Sequence, residues 1–170
     1  MPETTNKSKS KKLIINILAY FLIFIGAVFV FGSFMNKSTL LKYKNTGILI
    51  PAKIGDISSY KTKTTKKSST STKFLVEVNF TLNNLPGSAF VSDYVTESEV
   101  DNLKEGDRVE ILYLPKTEHV YQGKVSLVTN PILKITLENS LERVSNNMNY
   151  GWIIVAIGVI GAILTRFLVK

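Results

Sequence analysis

Residues 13–35 run for 23 positions without a charged side chain. At about 1.5 Å of rise per residue, a helix of that length crosses the roughly 30 Å hydrocarbon core of a bilayer. A second apolar run, residues 150–169, closes the sequence, and what lies between is polar and rich in turn residues. The expected fold class is therefore membrane α+β, with two transmembrane helices flanking a small antiparallel β-barrel or sandwich. The expected segments are a disordered basic tail (1–12), a first transmembrane helix (13–35), a small β domain (36–130), an amphipathic linker helix (131–149) and a second transmembrane helix (150–169).

The first run follows a lysine-rich tail, as a secretory signal would. It is longer than the signal core of about 7–15 residues, and no small-x-small cleavage site follows it, so it reads as a retained anchor. Ala19, Gly26 and Ser33 recur at seven-residue spacing on one helix face. In the last run Gly151, Gly158 and Thr165 do the same, with Ala162 four residues beyond Gly158. Small residues let helix backbones approach closely in lipid, where packing drives association. Ala19, Gly26, Ser33, Gly151, Gly158 and Ala162 are thus the candidate helix-packing residues. The seam joins the two spans to each other, joins them to a partner's helix, or reflects only the abundance of small residues in membrane helices. Asn16 and Arg166 lie near the run ends, where each reaches the headgroups.

Charge sets the expected orientation. Net charge is +8, from 21 Lys and Arg against 13 Asp and Glu. Lys7, Lys9, Lys11 and Lys12 precede the first run, and Arg166 and Lys170 sit at the end of the second. Cations beside a span favour the cytoplasmic side, so both termini are expected in the cytoplasm of a bacterial inner (cytoplasmic) membrane, with the domain outward. The rest of the chain holds 15 basic against 12 acidic residues, a near balance that gives no nucleic-acid signal. With no cysteine, disulfides, thiolate metal sites and cysteine nucleophiles are excluded.

Within the domain, residues 43–54 read as a first strand, with Gly47 and Pro51 marking an edge or bulge. Residues 58–73 are almost wholly Ser, Thr, Tyr and Lys. They form either a solvated hairpin tip or a basic finger for an anionic surface. Phe74, Val76, Val78, Phe80 and Leu82 alternate with polar positions, the mark of a half-buried strand. Asn84-Leu85-Pro86-Gly87 reads as a reverse turn and residues 89–95 as the returning strand. Thr96 and Glu99 have capping-box spacing for one helical turn that Gly106 ends. Residues 109–113 and 119–128 supply two more strands. Asn130-Pro131 suits a helix start, and Leu133, Leu137, Leu141, Val144 and Met148 make a helical stripe, although residues 132–137 also fit a strand.

No catalytic, cofactor-binding or metal-binding constellation is legible. His119 is the sole histidine and sits in a polar stretch. Glu97, Glu99 and Asp101 crowd the start of a short helix, where acidic residues complement the helix dipole. No small-molecule substrate is evident. The expected partners are membrane lipid and another protein.

Gly106-Asp107-Arg108-Val109-Glu110-Ile111-Leu112-Tyr113-Leu114-Pro115, followed by Lys116, resembles the Gly-x-x-Val-x-Val-x-Tyr-x-Pro segment of a bacterial two-pass membrane protein family, domain-of-unknown-function family 3592. Residues 47–53, leading to a loop and an alternating strand, are similar to it as well. The resemblance implies a membrane location and a small barrel, and brings no activity or catalytic residue. The expected function is a membrane-anchored protein-binding module at the bacterial envelope, for example an immunity protein against a membrane-acting toxin. The alternative is an accessory subunit of a channel, transporter or membrane protease that meets its partner through the transmembrane helices.

Overall fold

The structure, a computed structural model, describes residues 3–63, 70–91 and 95–168. Helix α1 spans Glu3–Thr46 and takes in the whole first apolar run. It begins well before that run, so the tail expected to be disordered is helical from Glu3. Once an apolar helix is nucleated, each added residue gains one backbone hydrogen bond for one residue fixed, where the nucleus fixes three. At its other end α1 runs past the expected start of the first strand and stops at Gly47, whose amide donates to the Tyr43 carbonyl at 2.9 Å. A Cβ at Gly47 would collide with that same carbonyl, so the exit from the helix needs glycine.

The chain divides into two units, one formed by residues 1–38 and 142–170, the other by residues 39–141. The second unit holds the sheet: β1 (Ile48–Lys63), β2 (Thr70–Leu82), β3 (Leu85–Val91), β4 (Arg108–Tyr113), β5 (Glu118–Tyr121), β6 (Lys124–Leu127) and β7 (Ile132–Leu133), with a single helical turn, α2 (Glu97–Val100), between β3 and β4. Helix α3 (Lys134–Leu168) follows β7 directly. The strand order is β5-β6-β3-β2-β1-β4-β7. All neighbours are antiparallel except β3 and β6, which pair in parallel at Gly87↔Val125 and Ser88↔Ser126.

This corrects the expected antiparallel barrel or sandwich: the seven strands make one mixed, open sheet. Closure would require β5 to pair with β7, and they lie at opposite edges of the order. Alternating apolar residues show which strands have a buried face; they carry no information about whether the last lane meets the first.

Local turn chemistry accounts for the other departures. The β2–β3 turn lies at Asn83 and Asn84, with φ 53° and 63°, and Leu82 pairs with Leu85. Positive φ at both central positions is the type I′ form of a two-residue hairpin, and asparagine tolerates it. Pro86 and Gly87 therefore fall inside β3 and not in the turn. The stretch expected as one strand at 119–128 is a second tight hairpin, turning at Gln122 and Gly123 with φ 49° and 73°. Around Pro131 both expectations hold in part: residues 132–133 are strand, and the helix starts at Lys134. The separate linker helix and second transmembrane helix are one continuous α3. The 58–73 stretch is a β1–β2 hairpin paired out to Lys63↔Thr70; its tip, residues 64–69, lies outside the described residues. The Thr96–Glu99 box forms, with Glu99 Oε2 accepting from the Thr96 amide at 2.8 Å and from its hydroxyl at 2.8 Å.

One face of the sheet is the core, built from Ile54, Val76, Val78, Phe80, Val91, Ile111, Tyr113 and Val125. Gly87 belongs to its packing. A Cβ there would stand 2.5 Å from the Phe80 ring and 2.8 Å from the Val125 carbonyl oxygen. Replacing Gly87 by Ala should therefore lower stability by about 1–3 kcal/mol through overpacking. Thermal unfolding of the detergent-solubilised full chain checks this, and an unchanged midpoint would contradict the β3–β6 register.

Candidate functional site

The sequence-predicted packing residues lie in the unit formed by residues 1–38 and 142–170. There α1 and α3 run antiparallel, and the glycines mark where their backbones approach. A Cβ on Gly26 would meet Val155 Cγ2 at 2.7 Å and the Gly151 carbonyl oxygen at 2.8 Å. One on Gly151 would meet Val30 Cγ2 at 2.8 Å, and one on Gly158 would meet the Ala19 carbonyl oxygen at 2.8 Å. Ala19 and Ser33 are buried on the same seam, at 3% and 8% exposure. Gly32, in the same helix, has nothing within 4 Å of its would-be Cβ, so the close approach belongs to the spaced positions and not to glycine as such. Ala162 sits beside the seam, lining a shallow groove with Ile23, Val159, Ile163 and Arg166.

One polar pair crosses this seam. Thr165 Oγ1 hydrogen-bonds Asn16 Oδ1 and also the Ala162 carbonyl, the latter at 2.8 Å. The single hydroxyl proton serves one of these acceptors at a time. The sequence reading sends Asn16 to the headgroups; the structure turns it to the other helix. A Thr two heptads beyond Gly151 was the available signal, since an interhelical hydrogen bond satisfies a polar group that lipid cannot.

The residues with chemical potential are dispersed. His119 is exposed on β5, the outermost strand. Glu97 and Asp101 are exposed around α2, and Glu99 is held by its capping contacts and by Asn139, which donates to it at 3.3 Å. No group of three or more His, Asp or Glu suited to a metal ion occurs among the described residues. The phenol of Tyr113 is raised above its ordinary value, first by burial and then by its hydrogen bond to Glu118, so it stays protonated as a structural donor within the sheet.

Besides a groove of about 450 Å³ over β1 and β2 at Lys53, Asn79 and Arg108, two grooves open on the sheet unit. The first, of about 430 Å³, lies over β3 and the β5–β6 hairpin and includes Tyr121, Lys124 and Ser126. The second is larger, about 790 Å³, and lies between β4 and the first turn of α3. Its walls are Pro51, Leu103, Val109 and Ile135, and its rim carries Asp107, Arg108, Glu110, Lys134 and Glu138. Ile135 stands 72% exposed there, although it opens a helix in a well-packed domain. Sequence reasoning passed over this groove, because it depends on where the chain leaves the sheet at Lys134.

No protein-family model, curated protein or solved structure matches this chain.

Because the chain lacks cysteine, the helix seam can be tested by placing two. A Cβ on Gly161 would stand 3.6 Å from Ala19 Cβ, within the Cβ separation of about 3.5–4.5 Å that disulfides adopt. Ala19→Cys with Gly161→Cys should form an intrachain disulfide on mild oxidation, measured by loss of free thiol. Ala19→Cys with Gly32→Cys should not. Equal cross-linking of both pairs would contradict the seam.

Proposed function

We propose that this chain is a membrane-anchored protein-binding module of the bacterial envelope, crossing the inner membrane twice with both termini cytoplasmic and the sheet outside. Two helices are long and apolar enough to cross a membrane, Lys12–Thr46 and Lys134–Phe167. Their outer faces carry large apolar side chains in quantity: Phe24 is 66% exposed, Phe31 68% and Phe167 75%. Contiguous apolar surface on that scale is unfavourable against water and suits lipid or another protein. The observation that carries the binding role is the groove beside β4, where an open sheet edge and exposed apolar residues coincide. An immunity protein against a membrane-acting toxin is one form such a module takes, and the resemblance of residues 106–116 to the two-pass family agrees with the layout.

The accessory-subunit reading has one observation in its favour. An apolar groove of about 330 Å³, which includes Phe31, Phe34 and Trp152, runs along the helix pair. The Gly26 and Gly158 faces do not serve that reading, because the chain's own two helices occupy them.

Glu105, exposed beside α2, offers a neutral labelling position. Glu105→Cys should react with a membrane-impermeant maleimide in intact cells; reaction only after lysis would place the domain inside and overturn the envelope role. Cross-linking in intact membranes should then recover a protein in stoichiometric amount. Replacing Phe31 and Trp152 by Ala should leave it bound if the domain is the binding element and release it if the helices are. Recovery of no stoichiometric partner contradicts both.

A further inference from the structure

β7 fills only part of the lane beside β4. It pairs with Ile111 and Leu112, and the chain then leaves the sheet as α3. The next residues of β4 along that lane, Glu110 and Arg108, face no described strand on that side. Their backbone groups are directed there, because alternate residues of an antiparallel strand send N–H and C=O to opposite neighbours. The Ile54 amide donates to the Asp107 carbonyl at 2.9 Å, which turns residues 107, 109 and 111 toward β1. Residues 108, 110 and 112 are thereby turned toward β7; Leu112 pairs with it, and the Ile111↔Leu133 pairing sets the Lys134 amide on the Glu110 carbonyl, which leaves the Glu110 amide and the backbone groups of Arg108 unpaired on that side.

This unpaired edge forms one side of the 790 Å³ groove, with Leu103, Val109 and Ile135 as its apolar walls. The rim charges are nearly all engaged. Glu110 accepts from Lys134 at 2.6 Å, Glu138 from Lys44 at 2.7 Å and Asp107 from the Lys104 amide at 2.8 Å. Among the described residues Arg108 alone on this rim has no partner, and it is exposed.

We propose that this groove captures an extended segment of another protein, laid antiparallel to β4 in the lane that β7 vacates. The segment carries an apolar side chain at every second position, against Leu103, Val109 and Ile135, and a carboxylate opposite Arg108. The Glu110 amide and the backbone groups of Arg108 supply affinity, and the alternating contacts supply selectivity, as in strand addition to a sheet edge. The site rests on the protein-binding role above and specifies the form of the partner.

The test is selection of a random dodecapeptide phage library on the full-length protein in nanodiscs. Enriched peptides should alternate apolar with polar residues and include an acidic one. Glu110→Pro removes one outward N–H without touching the ladder to β1, and Ile135→Lys changes an exposed wall residue with no burden on folding. Each should weaken the selected synthetic peptides by about tenfold, the effect of losing one or two well-formed contacts. Arg108→Glu should weaken the acidic peptides and spare a variant with Lys in place of the acid. Failure to enrich any peptide, or equal binding to wild type and both groove variants, overturns the site. If the membrane cross-link still recovers a partner in that case, protein binding stands without this groove; if it does not, both fall.

Discussion

The ladder between β1 and β4 is the interaction on which the sheet unit depends. It joins residues 48–53 to residues 108–113, about sixty positions apart in the chain, and it sets the strand that follows α1 beside the strand whose other edge carries β7. β1 begins one residue after α1 ends, and β7, which leads directly into α3, lies in the lane on the far side of β4. Ile48 faces Tyr113, and Ile132 faces Leu112, so the chain leaves α1 and enters β7 at the same end of the sheet. Tyr43 reinforces this end by donating its hydroxyl to the Asn130 carbonyl at 2.7 Å. A surface ion pair from Lys44 to Glu138 adds little energy of its own.

The helix pair obeys a different rule. In the membrane placement proposed above, apolar groups lie on every side, so burial of apolar area would not hold the two helices together and closeness of backbones would. Gly26, Gly151 and Gly158 are placed so that a single added carbon would collide with the facing helix. The Asn16–Thr165 pair adds a directional contact near one end.

Much of this was legible in the sequence, for reasons that differ by feature. The span lengths, the seven-residue spacing of small positions and the alternation at residues 74–82 are local patterns that follow directly from helix and strand periods. The Thr96–Glu99 box was legible because its chemistry lies within four residues. The turn at Asn83-Asn84 was missed because Pro86-Gly87 nearby is the stronger generic turn signal, although a two-residue hairpin requires positive φ and not proline. The open sheet, the parallel β3–β6 pairing and the groove beside β4 were not legible at all. Each depends on which distant strand becomes a neighbour, and alternation is silent on that. His119 and the acidic residues near α2, which drew notice as rare or clustered, are dispersed at the surface.

The central claim is that β4 offers an unfilled lane beside β7, and residue-resolved amide hydrogen exchange of the full chain in nanodiscs tests it most directly. Amides that face β1 should be protected and amides that face the empty lane should not. The prediction is alternation along one short strand: slow exchange at Val109 and Ile111, fast exchange at Arg108 and Glu110, and renewed protection at Leu112 where β7 begins. Uniform protection from Arg108 to Leu112 would show that the lane is already filled and would contradict the account.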